Sequence, residues 1–297
     1  MRRERRLSAS LRYNVGLMPP IVGLLSDFGL QDHYVGAMKG AVLAACPDAT
    51  LVDIVHDLPA HDIMAGALAL DSAYRAFPAR AVFLAVVDPG VGSPRRGLAA
   101  SVGGYSFVGP DNGILSLVLR SEPRGQVRAL TNTGLFRYEV SPVFHGRDVF
   151  APVAGHLARG TPFEEVGPLA TDAILLQVPP LERRGPVEWQ ATVLHVDRFG
   201  NLTTNVTERD LRAMGEVAPR DLSDLQVSVE GVILPFARVY SDVARGEPCA
   251  VLGSSGRLEI AVNQGSASRQ LGAWTGALVR LFFAEWSAGE PSDGVVV

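Results

Sequence analysis

The sequence has few of the residues from which small secreted folds and metal centres are built. It contains two cysteines, Cys46 and Cys249, which are far apart and form no C-x-x-C spacing. Its six histidines show no metal-binding spacing such as His-Glu-x-x-His. These absences argue against a disulfide framework and a structural zinc site. We therefore expect no catalytic metal and a reducing, cytoplasmic location.

Long apolar runs and an excess of positive charge are also missing. The longest apolar stretches, such as residues 81–87, are much shorter than the roughly 18 to 20 residues of a membrane helix. A formal net charge of −4 leaves no basic field for gripping phosphates. We expect neither a membrane partner nor a nucleic-acid partner. The arginine-rich segment 1–20 lacks the apolar run of a secretion signal, so it is predicted to be a loose tail or an over-extended start, with the fold beginning near Ile21.

What the sequence does contain is a hydrophobic content of 47% over 297 residues, which suits two globular domains. From Ile21 onward, short apolar runs alternate with helical patterns. Strands are predicted over residues 21–25, 51–55 and 82–87, and helices over 34–45, 63–76 and 147–158. Continuous apolar runs are typical of parallel strands covered by helices on both faces, and Gly103-Gly104 predicts a hairpin. The first domain, 21–178, is therefore predicted to be an α/β/α sandwich with a mostly parallel, mixed sheet.

The composition changes at residues 179–186, where prolines and charged residues predict a stiff linker. Beyond it the helical period fades, and turns are predicted at Glu230-Gly231 and Ser255-Gly256. Strands are predicted over 187–196, 226–229, 232–236, 258–262 and 277–283. The second domain, 187–297, is predicted to be a small antiparallel β-barrel or a β-sandwich.

Two polar segments come directly after predicted strands of the first domain, where parallel sheets bind ligands. Asp27 lies in Ser26-Asp27-Phe28-Gly29, and Asp88 opens Asp88-Pro89-Gly90-Val91-Gly92. Either carboxylate could accept hydrogen bonds from a ribose diol, or could instead cap the next helix or turn. The glycines lack a Gly-x-Gly-x-x-Gly continuation and a Lys-Ser/Thr pair, which argues against a phosphate loop.

Two further segments carry groups suited to a ligand. His145 lies just before the predicted helix and could face the same crevice, although a lone histidine is more often structural. In Asp197-Arg198-Phe199-Gly200-Asn201, an aromatic ring could stack on a purine while an amide pairs with its edge. A plain hairpin turn is the alternative interpretation of that segment.

Taken together, six ordered motifs give the chain a more specific signature than any one of them. They are Leu25-Ser26-Asp27-Phe28-Gly29 with Asp32, Val87-Asp88-Pro89-Gly90-Val91-Gly92 with Arg95, Gly109-Pro110-Asp111-Asn112-Gly113, Phe144-His145-Gly146-Arg147-Asp148, Phe199-Gly200-Asn201, and Leu258-Glu259-Ile260-Ala261 with Asn263. In these the chain resembles the S-adenosyl-L-methionine (SAM) hydroxide adenosyltransferases, the adenosine-forming SAM hydrolases related to the fluorinase and chlorinase. The resemblance implies an N-terminal α/β domain, a C-terminal β-barrel, a homotrimer, and SAM bound between domains of neighbouring subunits, with SAM as substrate and no cofactor.

The resemblance also implies a role for each matching residue. Those expected to bind the substrate are Asp27 for the ribose, Phe199 and Asn201 for the adenine, Asp32 and Asp197 for the methionine ammonium, Ser254 and Ser255 for its carboxylate, and Tyr240, Glu259 and Val262 as further pocket members. Those expected to be catalytic are Asp88, Arg95 and His145. Because Arg96 is adjacent to Arg95, either arginine could belong to this set.

The chemistry explains why such a set is needed. The sulfonium is already a good leaving group, whereas neutral water is a poor nucleophile. A nearby arginine favours the hydroxide form, and Asp88 or His145 could accept the proton, an effect of about 10²- to 10⁴-fold. Halide-using relatives have a tyrosine at the position of Asp88 and a serine at that of Gly146, and a carboxylate would repel a halide. SAM hydrolysis is therefore predicted ahead of halogenation, and ahead of a non-catalytic SAM- or adenosine-binding module.

Overall fold

The computed structural model describes residues 19–122, 124–218 and 221–283. The tail predicted over residues 1–20 thus lies almost wholly outside the described residues. Two compact units are present: the first joins the described residues up to His61 with Ala76–Ile174, and the second joins Asp62–Arg75 with the described residues from Leu175 onward. The boundaries predicted at residues 178 and 187 delimit domains that would fold independently, and they stay a prediction.

Six α-helices lie in the described part of the chain. They are α1 (Tyr34–Ala45), α2 (Ile63–Ala73), α3 (Ser116–Ser121), α4 (Ala151–Arg159), α5 (Glu208–Val217) and α6 (Ala267–Leu271). None of these helices has the length and apolar character needed to cross a bilayer. A π-helical segment, Gly146–Phe150, leads directly into α4. The helix predicted over 147–158 is therefore present, but its first turn is wider than an α-helix.

The first unit is built on a mixed sheet. Its described strands are β1 (Ile21–Ser26), β2 (Thr50–Val55), β3 (Val82–Val86), β4 (Gly97–Val102), β5 (Tyr105–Pro110) and β6 (Gln126–Ala129). The spatial order is β2-β1-β3-β5-β4-β6, with β2, β1, β3 and β5 parallel and β4 antiparallel to both neighbours. Every residue of β3 is buried, as its continuous apolar run predicts. The predicted mixed sheet and the hairpin at Gly103-Gly104 are confirmed.

The second unit is a closed barrel. Its described strands are β7 (Glu182–Gly185), β8 (Glu188–Val196), β9 (Leu202–Thr207), β10 (Leu225–Val229), β11 (Val232–Ala237), β12 (Pro248–Leu252), β13 (Arg257–Val262) and β14 (Leu278–Phe283). Seven of these described strands close a ring in the order β8-β9-β13-β12-β11-β10-β14, and β7 adds to β8 from outside. Because β14 pairs with β8, the barrel alternative is confirmed over the open sandwich. The pairs of the ring are antiparallel as predicted, except that β11 and β12 run parallel.

The sequence pattern missed several elements of the barrel unit. Strand β7 lies within the segment predicted as a linker, and β9, β12 and α5 were not predicted. Strand β9 looks polar in sequence, yet Thr204 and Asn205 are buried. Their polar groups are satisfied: the Thr204 hydroxyl donates to the Leu258 carbonyl at 2.9 Å, and the Asn205 amide oxygen accepts from the Thr192 N–H at 2.8 Å. These polar side chains can be buried because they have hydrogen-bond partners, and they interrupt the apolar pattern from which a strand is predicted.

Candidate functional site

Strands β1 and β3 are parallel neighbours, so the segments that follow them meet at one edge of the sheet. A cavity of about 560 Å³ lies in the first unit, lined by Phe28 from the segment after β1 and by Asp88 from the segment after β3. His145, at the start of the π-helical segment, lines the same cavity. The structure therefore brings together Asp88 and His145, which are 57 positions apart in the sequence.

Asp88, Arg95 and His145 form one hydrogen-bonded cluster. The Arg95 Nε donates to Asp88 Oδ1 at 2.7 Å, and its Nη2 donates to Asp88 Oδ2 in a close ion pair. The same Nη2 donates to His145 Nδ1 at 2.9 Å. The side chains of Asp88 and Arg95 are 5% and 10% exposed, so this bidentate pair is largely removed from bulk water. The cluster is a preformed charged centre beside the cavity.

The turn after β3 brings Arg95 back to Asp88. The Val91 N–H donates to the Asp88 carbonyl at 3.2 Å, and Ser93 Oγ donates to the Gly90 carbonyl at 2.7 Å. Gly92 has φ +80°, and a Cβ there would lie 2.7 Å from the Pro142 carbonyl oxygen. Only glycine fits this close approach, which fixes the turn against the segment leading to His145.

His145 is held as a neutral ring. A guanidinium group can only donate hydrogen bonds, so the Nδ1 that accepts from Arg95 carries no proton, and the remaining ring proton is on Nε2. Burial lowers the pKa of His145, and the neighbouring Arg95 charge lowers it further. In this state His145 presents a donor at Nε2 and has no free acceptor nitrogen.

A buried aspartate holds the segment that carries His145. Asp148 is fully buried and accepts from Arg147 at 2.7 Å, from Arg137 at 3.2 Å and from the Ser141 N–H at 2.9 Å. Although burial opposes its ionisation, the bonds from Arg147 and Ser141 keep the pKa of Asp148 below its ordinary value. Asp148 therefore holds the segment between Arg137 and Arg147, which carries His145, at both of its ends.

Arg96 points to a different set of partners. Its Nε and Nη2 donate to Asp111 Oδ2 at 2.9 and 2.6 Å, and its Nη1 donates to Asp172 at 2.8 Å. These bonds to Asp172 and Asp111 raise the pKa of Arg96. Of the two adjacent arginines, Arg95 is thus the one that contacts Asp88, and Arg96 ties the start of β4 to the chain near residue 172.

An aromatic wall of three rings completes the first cavity; Phe28 and Phe144 belong to motifs noted in the sequence, and Tyr34 does not. The ring centroids of Phe28 and Tyr34 are 5.9 Å apart, those of Phe28 and Phe144 6.0 Å, and those of Tyr34 and Phe144 5.5 Å. Tyr34 was missed as a site residue, because in sequence it is simply the first residue of a predicted helix. Edge contacts of this kind give an apolar surface on which a flat or cationic ligand can rest.

The two acidic residues near β1 differ in environment. The Asp27 carboxylate is 8% exposed and accepts from the His61 N–H at 2.9 Å. It lies beside Phe28 but is not itself among the residues that line the cavity. Asp32 is exposed at the start of the turn before α1.

A second cavity, of about 710 Å³, lies in the barrel unit. Most of the barrel residues expected to bind the substrate line it, namely Asp197, Phe199, Asn201, Tyr240, Ser254, Glu259 and Val262. Ser255 is the exception, because its hydroxyl is buried beside the Glu259 carboxylate. Nine of the predicted site residues thus line two cavities, Asp88 and His145 in the first unit and the seven above in the barrel, whereas Asp27, Asp32, Arg95 and Ser255 line neither.

Asp197 builds the turn that presents the aromatic ring. Its Oδ1 accepts from the N–H groups of Phe199 and Asn201, both at 2.8 Å, and its Oδ2 accepts from Asn201 Nδ2 at 3.0 Å. Gly200 has φ +86° and packs against Ser266, where a Cβ would clash. The Phe199 ring is left 75% exposed, and the Asn201 amide keeps its oxygen as a free acceptor. The turn offers a flat apolar face beside a hydrogen-bonding edge.

Glu259 adds a second carboxylate to this cavity. Burial raises the pKa of Glu259, and the nearby Asp197 charge raises it further. Tyr240 Oη lies 3.4 Å from Glu259 Oε2, and burial together with Glu259 raises the pKa of this phenol. Two carboxylates beside an aromatic ring suit a cationic organic ligand. Among the described residues, no group of three or more His, Cys, Asp or Glu side chains could hold a metal ion.

Comparison with known proteins places these features in a family context. Residues 22–167 match the model of the SAM hydroxide adenosyltransferase N-terminal domain, and residues 191–280 match that of the C-terminal domain. A protein named (R)-S-adenosyl-L-methionine hydrolase from Thermus thermophilus is 40% identical over 270 residues, covering 88% of this chain and 98% of that protein. A protein of the same name from Salinispora tropica is 39% identical, covering 88% and 97%.

More distant relatives and a solved structure agree. A protein named fluorinase from Nocardia brasiliensis is 29% identical over 83% of this chain and 91% of that protein. The crystal structure of an uncharacterized conserved protein from Thermotoga maritima superposes with a TM-score of 0.80 at 34% identity, covering 88% of this chain and 99% of that one. The similarity therefore spans both units.

Proposed function

The chain belongs to the SAM hydroxide adenosyltransferase family, and from this premise we propose that it hydrolyses SAM to adenosine and L-methionine by in-line attack of water on the ribose C5′ carbon. The observation that carries the proposal is the Asp88–Arg95–His145 cluster beside the cavity of the first unit. A protein that only bound SAM would not need a buried ion pair bonded to a neutral histidine at this place.

Asp88 is the proton acceptor in this proposal. Each of its oxygens accepts one bond from Arg95 and keeps a further lone pair for a water molecule. His145 has its acceptor nitrogen occupied by Arg95, so its Nε2–H orients the water by donating to the water oxygen. The neutral histidine is a poor base in this arrangement, which favours Asp88 over His145 as the group that takes the proton.

The electron balance of the step is simple. A lone pair of the water oxygen forms the bond to C5′, and the C5′–S bond breaks with its electron pair passing to the sulfonium. Methionine leaves as a neutral thioether, the water proton passes to Asp88 and then to solvent, and the oxygen becomes the 5′-hydroxyl of adenosine. The Arg95 charge stabilises the developing hydroxide, and the dry, preformed centre requires little reorganisation. No cofactor enters this scheme.

Substrate contacts are proposed from the matching residues and the geometry of both cavities. Phe199 stacks on the adenine, and the free Asn201 oxygen accepts from its amino group. Asp27 holds the ribose hydroxyls. For the methionine end, Asp32 and Asp197 approach the ammonium and Ser254 approaches the carboxylate, with Tyr240, Glu259 and Val262 lining the pocket. Ser255, whose hydroxyl is buried outside the cavity, is given no substrate contact.

We also propose that the active form is a homotrimer in which SAM binds between the first unit of one subunit and the barrel of the next. Support comes from apolar side chains left uncovered beside both cavities: Val143 is 74% exposed and Phe199 is 75% exposed. Burial of such groups is expected where a second copy covers them. A cytoplasmic setting fits Cys46 and Cys249, which are both buried free thiols.

Isotope labelling tests the reaction. With SAM in ¹⁸O-water, we expect adenosine that carries one ¹⁸O atom at the 5′ position together with an equal amount of methionine, measured by mass spectrometry. Adenosine without the label contradicts attack by water at C5′. A 5′-halo-adenosine formed when chloride or fluoride is added indicates a halogenase, and the absence of any product from bound SAM indicates a binding module.

The dependence on pH tests the state of His145. Because its pKa lies below the ordinary value of about 6.5, the neutral ring with its bond from Arg95 is the predominant form at pH 6.5 and above. Protonation at lower pH breaks this bond and places two cations together. We expect the decrease of kcat/KM at low pH to have its midpoint below the ordinary histidine value of about 6.5.

The control for the pH profile is His145→Gln, whose amide oxygen can accept from Arg95 but does not titrate. In this variant the decrease of kcat/KM at low pH should be absent or should occur at a different pH. If the decrease of kcat/KM has its midpoint above the ordinary histidine pKa, or is identical in His145→Gln, the titrating group is another residue or SAM itself.

A further inference from the structure

Next to the segment that carries Asp27 lies a chain of hydrogen bonds, buried at Ser26 and His56 and partly exposed at Asp53 and Lys39, that the proposed reaction does not use. Ser26 Oγ is 2.7 Å from His56 Nδ1, and His56 Nε2 is 3.1 Å from Asp53 Oδ1. Lys39 Nζ donates to the other Asp53 oxygen at 2.7 Å. Ser26 and His56 are 0% and 4% exposed, so Ser26 cannot reach a substrate as a nucleophile.

The direction of each bond follows from the groups involved. Although burial opposes ionisation, the bonds from Lys39 and His56 keep the pKa of Asp53 below its ordinary value, so its oxygens accept. His56 Nε2 therefore donates to Asp53, and in the neutral ring Nδ1 accepts from the Ser26 hydroxyl. The Ser26 oxygen is then free to accept from the Phe28 N–H, which lies 3.4 Å away.

His56 holds the same segment a second time through its backbone. Its carbonyl oxygen accepts from the Gly29 N–H at 2.8 Å. A β-bulge lies just before it, because Leu24 pairs with Asp53 while Leu25 pairs with Val55. Bulges re-aim the residues that follow them, and here the bulge precedes the residue whose ring reaches Ser26 and whose carbonyl reaches Gly29.

We propose that His56 is a positioning residue that sets the conformation of Asp27-Phe28-Gly29 for the ribose end of SAM, through Ser26 on one side and Gly29 on the other. The inference rests on the proposed function, since it takes SAM binding to be the role of the contacts that His56 makes with Ser26 and Gly29. Removal of the ring leaves the Ser26 hydroxyl buried without its acceptor and loosens the Phe28 amide. Asp27 and the Phe28 wall of the cavity then lose their fixed position.

The test compares His56→Leu, His56→Gln and wild type. We expect His56→Leu to raise KM for SAM about tenfold with kcat within about threefold, the loss of roughly one buried hydrogen bond. Hydrogen–deuterium exchange at the Phe28 and Gly29 amides should speed up about tenfold while β3 and α4 stay protected. His56→Gln, whose amide can accept from Ser26 and donate to Asp53, should restore both values to near wild type.

The control is His156→Leu, which removes a histidine that is partly buried on α4 and lies outside this segment, and it should leave KM and exchange of this segment unchanged. If His56→Leu does not fold, Asp53→Ala removes the hydrogen-bond acceptor at the more exposed end of the Ser26–His56–Asp53 chain. The KM for SAM should then increase about threefold. Unchanged KM and unchanged exchange, or faster exchange throughout the unit, overturn the proposal. If wild type does not hydrolyse SAM, the proposed function fails, and the exchange measurement alone then decides whether His56 holds the segment.

Discussion

Asp88→Asn should lower kcat for SAM hydrolysis by about 10³-fold while KM changes by no more than about threefold. The amide has nearly the shape of the carboxylate and keeps one oxygen for Arg95, so the cavity is preserved. It cannot take a proton from water, and it removes the charge that pairs with Arg95 Nε and Nη2. Adenosine release measured by chromatography gives kcat, and calorimetric titration gives SAM affinity.

The chain offers a matched control in the neighbouring pair. Asp111 is 3% exposed and paired with Arg96, as Asp88 is 5% exposed and paired with Arg95, but Asp111 does not line the cavity. Asp111→Asn should lower the melting temperature and leave kcat within about threefold. Equal losses of kcat in the two variants would show that any broken arginine pair disables the protein. Lost SAM affinity with retained kcat in Asp88→Asn would make Asp88 a binding residue.

These two pairs also show where sequence reasoning stops. The strand before Asp88 could be predicted because Val82–Val86 is one continuous apolar run, and every residue of it is buried. Which of Arg95 and Arg96 meets Asp88 could not be predicted, because both lie in an irregular segment with no period of two or 3.6. The answer depends on the turn fixed by Gly92 and on the competing carboxylate of Asp111, which is contributed by a later strand end.

The barrel unit was predicted less completely for a related reason. Its strands alternate or contain buried polar residues such as Thr204, so their apolar signal is weak. Helix α5 did have a local signal, the capping box between Thr207 and Asp210, but no apolar run followed it. The hydrogen-bonded ring state of His145 and the turn built by Asp197 depend on contacts across many residues, which no local pattern contains.

The second large effect concerns the assembly. Assayed in separate preparations at SAM concentrations below KM, Asp88→Asn should be nearly inactive, and Asn201→Ala should lose about ten- to hundredfold in rate, the cost of one or two hydrogen bonds. If SAM binds between the first unit of one subunit and the barrel of the next, co-expression of the two variants should restore about a quarter of the wild-type sites in randomly mixed trimers. Adenosine formation by the purified mixture, with light scattering to measure the mass, checks this result.

The recovered activity has a specific origin in this scheme. A subunit with Asn201→Ala keeps an intact Asp88–Arg95–His145 cluster, and a subunit with Asp88→Asn keeps an intact Phe199–Asn201 turn. Where the first precedes the second around the ring, their interface holds one complete site. A chain carrying both substitutions, co-expressed with the Asp88→Asn variant, is the control, because no interface of that mixture regains Asp88. Trimers that mix without regaining activity would place the whole site within one chain, and a monomer by light scattering would contradict the shared site directly.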